Sequence, residues 1–179
     1  AVICGCAAWA SARQTVAEWD FTRGTQGWHG NERARVQATD EGLAIRSTGE
    51  DPWIEGPAFE APTRGMLEVT IRMQSTADAA GEIFYGPGFT AERSRRFVVQ
   101  TDGRMHEYSL IIPQSTGPGT RLRLDPCHGE GELLVQSIAV ESISKPAPPQ
   151  FPAPALPATS ALTRSVRSGA WELGLNLGT

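Results

Sequence analysis

In the stretch LEVTIRM, Leu67, Val69, Ile71 and Met73 fall on one phase and Glu68, Thr70 and Arg72 on the other. Apolar side chains at every second position describe a pleated strand with one face in a core and one in water. The same period recurs through the middle of the chain. Leu43 and Ile45 oppose Arg46, Tyr108, Leu110 and Ile112 oppose Glu107 and Ser109, and Leu122 and Leu124 oppose Arg121, Arg123 and Asp125. No useful length carries a helical stripe. Turn residues interrupt the runs at short intervals, as at Glu41-Gly42, Gly56-Pro57, Gly86-Pro87-Gly88 and Gly117-Pro118-Gly119. A strand with one apolar face must find a second sheet to cover it. Roughly nine or ten such strands therefore predict an all-β fold, an antiparallel two-sheet β-sandwich. In the last run Leu133 and Val135 lie on one phase and Ile138 and Val140 on the other, which a bulge near Gln136 and Ser137 reconciles. Asp102-Gly103 has hairpin chemistry.

The sandwich is expected over residues 17–144, flanked by segments of other kinds. Residues 1–12 carry no charge and end in Ala10-Ser11-Ala12, the small-x-small form that a signal peptidase cuts, so they are expected to be a signal-peptide remnant. Cys6 as a lipidated first residue is the alternative. Either places the protein outside the cytoplasm, secreted, periplasmic or at the cell surface. Cys4 and Cys6 then leave Cys127 without a mate. No apolar run is long enough to form a transmembrane segment. Residues 145–158 hold six prolines, from Pro146 to Pro157, and read as a stiff Pro-rich linker. Residues 159–179 close with Trp171, Leu173, Leu175 and Leu177 on alternate positions, the expected opening strand of a further, downstream domain of the same chain. With a net charge of −4 and scattered arginines, nucleic acid is not an expected partner.

Catalysis needs a constellation that is hard to assemble here. The histidines are His29, His106 and His128, no G-x-S-x-G elbow occurs, and the adjacent Cys127 and His128 would point to opposite faces of a strand. The long strand offers Glu68 without a second carboxylate, whereas glycoside hydrolysis wants a facing pair. Zinc spacing is lacking. Calcium needs only oxygens, and Asp20, Glu50, Asp51, Asp125 and Glu130 sit at strand ends or turns without forming a ligand-dense loop. No cofactor is expected, with structural calcium as the open alternative. Asp125 and Pro126 are expected to be structural: proline ends the pairing, and the carboxylate accepts from free N–H groups of the turn 127–130.

WDFTRGTQGW (19–28), EDPWIEGP (50–57), DGRMHEYSL (102–110), RLRLDP (121–126) and the closing GELLVQSIAVESI resemble the spaced marks of the galactose-binding-like jelly-roll superfamily. More narrowly, they resemble the carbohydrate-binding accessory domains of large secreted, often glycan-active, bacterial proteins. The resemblance implies a jelly roll and carbohydrate binding. Relatives with a structural calcium often carry an acid after the opening Phe and another in the final strand, where this chain has Thr22 and the pair Gln136 and Ser137.

Sugar rings present apolar C–H faces and a hydroxyl rim, so a site needs aromatic platforms beside polar side chains. Candidate platforms are Trp28, Trp53, Tyr85 and Phe89. Candidate polar partners are Arg93 and His106, with Asn31 and Glu50. Each aromatic also has a core role open to it: Trp28 as an end plug, Tyr85 in phase with Ile83, Phe89 as a loop cover, and Trp53 leading into Ile54. Arg72, Arg95, Arg121 and Arg123 on outward faces would suit a uronate or sulfated polymer. The expected function is thus non-catalytic binding of a poly- or oligosaccharide, targeting a glycoside hydrolase or similar domain. The alternatives are a ligand-free spacer or docking sandwich, and a jelly-roll lyase or hydrolase.

Overall fold

The computed structural model describes residues 13–143 and the backbone of 165–168 and 171–174. The expectations for residues 1–12 and 145–158 lie outside the described residues. In chain order the strands are β1 (Arg13–Asp20), β2 (His29–Gly30), β3 (Ala34–Ala38), β4 (Leu43–Ser47), β5 (Ile54–Glu55), β6 (Phe59–Glu60), β7 (Met66–Ser75), β8 (Ala80–Gly86), β9 (Ser94–Val98), β10 (His106–Ile112), β11 (Pro118–Asp125) and β12 (Gly131–Ile143). Single 3-10 turns occupy Phe21–Arg23 and Ala91–Arg93. The first sheet runs β10-β7-β12-β4-β3, with β1 also on β12; the second runs β2-β5-β11-β8-β9, with β6 also on β11. Every pairing is antiparallel. The chain divides after Pro146, and in the second unit β13 (Ser165–Ser168) pairs antiparallel with β14 (Trp171–Gly174).

Alternation builds the core as the sequence predicts. Leu67, Val69, Ile71 and Met73 of β7 and Leu122 and Leu124 of β11 are buried, and they meet Leu43, Ile45, Ile83, Ile112, Val135, Ile138 and Val140 in one cluster. The register of β12 against β7 slips between Val135 and Ser137, the bulge that lets both apolar phases of the last strand face inward. β1 begins at Arg13, so the sandwich starts before residue 17.

Two local expectations are corrected. Asp102-Gly103 does turn the chain, with Gly103 at φ 69° and its N–H on the Ser75 carbonyl at 3.1 Å. It is not a hairpin, because β9 pairs with β8 in the second sheet and β10 with β7 in the first. The turn is a crossover between layers. At the end of β11, Asp125 does not accept from the amides of the following turn. Asp78 does that work, both its oxygens taking the His128 N–H at 3.1 and 2.9 Å, while Ser47 Oγ donates to the Gly129 carbonyl at 2.6 Å. In that same turn Cys127 is buried, and burial pushes its thiol up to about 11. It stays protonated and inert at neutral pH.

Candidate functional site

The alternation of RLRLD that buries Leu122 and Leu124 sends Arg121, Arg123 and Asp125 to the outer face of the second sheet. There the register sets Arg123 between Phe84 of β8 and Glu55 of β5, and Arg121 opposite Gly86. The Arg123 guanidinium carbon lies 5.0 Å from the centre of the Phe84 ring and 5.1 Å from that of Trp53. Its Nε and Nη2 donate to the two Asp125 oxygens at 2.8 and 2.7 Å, and Nη2 is also 3.3 Å from Asp51. Arg121 repeats the pattern, pairing with Glu55 and lying 5.5 Å from the centre of the Phe89 ring. Phe89 meets Phe84 edge-on at 6.5 Å, and His29 meets Trp53 at 6.3 Å. The result is a strip of half-buried rings, Trp53, Phe84 and Phe89, with cations against them and carboxylates beside the cations. Rings aligned by neighbouring guanidinium groups are pre-organised apolar platforms, and Glu55, Asp51 and Arg121 supply acceptors and donors at their margin.

Asp125 is 6% exposed and grips Arg123 from the same strand. Burial raises its pKa, outweighing the hydrogen bonds and charge of Arg123, which lower it; Asp51 and Glu82 add to the rise. A carboxyl whose pKa is raised on folding binds protons more tightly in the native state, so its contribution to stability is full below the ordinary aspartate range and is lost as pH climbs through the folded value. Asp125→Asn should flatten that part of the stability profile, read as Tm against pH from about 3.5 to 7. An unchanged profile would contradict the assignment.

Trp53 is held by Asn31. The Asn31 amide nitrogen donates to the Asp51 carbonyl at 2.8 Å, and its Oδ1 accepts from Arg33 N at 3.1 Å and Trp53 N at 3.4 Å. The two backbones join through Asn31 N to the Trp53 carbonyl at 3.1 Å. Asp51 turns the loop at a φ of 57°. Asn31 is therefore no free partner for a sugar rim; it positions the loop that carries Trp53. Asn31→Ala should lower Tm by several degrees through loss of about 1–2 kcal/mol, with a further weakening of ligand binding per folded molecule.

The other sequence candidates scatter. Trp28 is 2% exposed, edge-on to Trp19 at 5.4 Å and to Phe21 at 5.7 Å, and so leaves the platform set: it is core. Tyr85 is buried, on the inner phase with Ile83, and is not a platform either. Arg93 is exposed and lines, with Tyr85, a cavity at one end of the sandwich. His106 Nε2 lies 2.8 Å from Asp102 on the β9–β10 crossover, and Tyr108 Oη accepts from Gln100 N at 3.0 Å, so neither joins the aromatic strip. Arg95, expected outward, instead reaches between the sheets. Pro126 is buried immediately after β11. Phe84 is what the sequence argument missed; its partner across the ladder, Arg123, is the residue that would have pointed to it.

Glu68 does acquire a facing carboxylate, since the register sets Glu141 opposite it. Arg13 Nη1 lies 2.5 Å from Glu68 and 3.2 Å from Glu141, and Ser109 Oγ also donates to Glu68. One cation and one hydroxyl engage this pair, with Glu68 itself only 8% exposed, so the two carboxylates form an ion-paired cluster and not a free acid and base. Among the described residues no group of three His, Cys, Asp or Glu side chains is placed to hold a metal ion, and no helix is long and apolar enough to cross a membrane.

No family model matches the sequence, and no curated protein matches it either. Solved structures do match. The apo form of BiXyn10A CBM1 superposes with a TM-score of 0.57 at 14% identity over 71% of this chain and 97% of its own. The xylan-binding module CBM15 gives 0.54 at 11% identity over 74% and 97%. A family 35 carbohydrate-binding module from Clostridium thermocellum gives 0.53 at 10% identity over 72% and 100%. The fold is the jelly roll of carbohydrate-binding modules, as the sequence resemblance implies.

Proposed function

We propose that this domain is a non-catalytic carbohydrate-binding module of a secreted, multidomain protein, and that it holds a poly- or oligosaccharide against the outer face of its second sheet. The observation that carries the proposal is the strip of Trp53, Phe84 and Phe89, three half-buried rings bordered by Arg121, Glu55 and Asp51. Rings take the C–H faces of a sugar, and the ionic margin takes its hydroxyls. The fold of known modules supports this, because 97–100% of the length of three of them superposes on 71–74% of this chain. The proline-rich segment that follows suits a tether, and a tether raises the concentration of a downstream domain, such as a glycoside hydrolase, at the polymer without adding a contact.

One observation favours a different reading. Guanidinium groups already lie against all three rings, so the strip could be finished packing in a ligand-free spacer. Affinity electrophoresis of the full chain through gels containing xylan, mixed-linkage glucan, galactan or polygalacturonate separates the two. Retardation by at least one polymer is expected; equal mobility in all of them, and in the polymer-free gel, would favour the spacer.

A further inference from the structure

At one end of the sandwich Thr63, Pro87, Glu92, Arg93 and the segment Pro113–Pro118 line a cavity of about 620 Å3 that shares no lining residue with the aromatic strip. Tyr85 forms its wall on the core side, and Arg93, Arg95 and Gln114 add polar groups. Arg95 sits on β9 opposite Ile83, on the phase that faces the other layer. Its Nε donates to the carbonyl of Ile111 in the first sheet at 3.2 Å and its Nη1 to that of Ser94 at 2.7 Å. Neutral carbonyls thus fix the guanidinium plane while leaving its charge uncancelled and its remaining N–H groups free. Neither Arg93 nor Arg95 forms an ion pair with a described residue. The lining carboxylate, Glu92, accepts from its own backbone N–H and from Thr90, and the Arg93 charge acts on it more weakly, from beyond ion-pair distance. Gly86, at a φ of +119°, leaves Arg93 room: a Cβ there would sit 3.3 Å from Arg93 Nη1.

Two guanidinium groups, one of them immobilised in advance, with a phenol beside them, form an arrangement suited to an oxyanion. We infer that this cavity is a second binding site, one that takes a carboxylate or sulfate group borne by a saccharide. The saccharide as carrier rests on the carbohydrate-binding function proposed above; the anion site does not. The sulfate ester and the uronate carboxylate share the recognising chemistry, and the test separates them.

Calorimetric titration of the full chain with glucuronate, glucose 6-sulfate, glucose and inorganic sulfate tests the inference. One or both anionic sugars should bind, glucose should not compete with them, and inorganic sulfate should bind more weakly because it lacks the ring. Arg93→Gln, at an exposed position, should weaken the anionic sugar about tenfold or more with Tm unchanged. Tyr85→Phe, which keeps the ring in the core, should weaken it a few-fold. Arg95→Gln should abolish it, and because Arg95 also ties the two sheets, the two milder variants carry the conclusion. Unchanged affinity in Arg93→Gln and Tyr85→Phe, absence of binding to both anionic sugars, or inorganic sulfate binding as tightly as either of them would overturn it. Trp53→Ala distinguishes this failure from that of the main site: it should release the neutral polymers and leave the anionic monosaccharides bound.

Discussion

Trp28→Ala is expected to cost about 3–5 kcal/mol of folding free energy, much of the roughly 5–15 kcal/mol that a domain of this size possesses. The reason lies in how WDFTRGTQGW folds. Asp20 caps a single 3-10 turn by accepting from Thr22 N at 3.2 Å, which brings Phe21 and Trp28 inward to meet Trp19. Phe59 joins Trp19 at 5.6 Å, so four rings close one part of the core by edge-to-face contact. Truncation at Trp28 removes one of the largest of these side chains and leaves its lining without partners. Gly56 confirms how tight the site is, since a Cβ there would come within 2.5 Å of the Trp28 ring. Gly56→Ala should accordingly lose stability in the same direction. Urea unfolding followed by fluorescence checks both; a loss below about 1 kcal/mol for Trp28→Ala would show that the aromatic cluster is not part of the core.

The second large effect falls on binding. Trp53→Ala should weaken retention by the favoured polysaccharide about thirtyfold or more, the scale of a residue on which a contact depends. Its Tm should move little by comparison, because Trp53 is half-buried on a loop and Ile54 beside it, fully buried, anchors β5. Trp28→Ala and Trp53→Ala thus separate two aromatics that look alike in the sequence. Binding retained in Trp53→Ala would show that the Trp53 ring is not a platform for the sugar.

The layers, most strand positions and the bulge of β12 were legible because burial of one face imposes a period of two, and that period survives wherever a strand is long. Asp102-Gly103 was misjudged for a physical reason: turn residues specify local backbone, while the sheet in which the next strand pairs is decided by long-range register. The site was less legible. Trp28 and Trp53 each follow a turn signal, and nothing local distinguishes the ring that two aromatics flank in the core from the ring that a loop presents. Phe84 was hidden between Ile83 and Tyr85, in a run whose three apolar residues obscure the outward phase. Asp125 was rightly placed at a strand end, but its partner Arg123 lies two residues back on the same face, a contact that alternation predicts once both are taken as outward.

The measurement that bears most directly on the proposed site is a nitrogen-15 correlation spectrum of the full chain, recorded while the polysaccharide fragment that causes retardation is added. The Trp53 indole signal and the amides of Phe84, Phe89, Arg121 and Arg123 should shift together, while those of the outer face of the first sheet, such as Thr70, Arg72 and Ala139, stay in place. Shifts gathered on that opposite face, with the Trp53 signal unmoved, would contradict it.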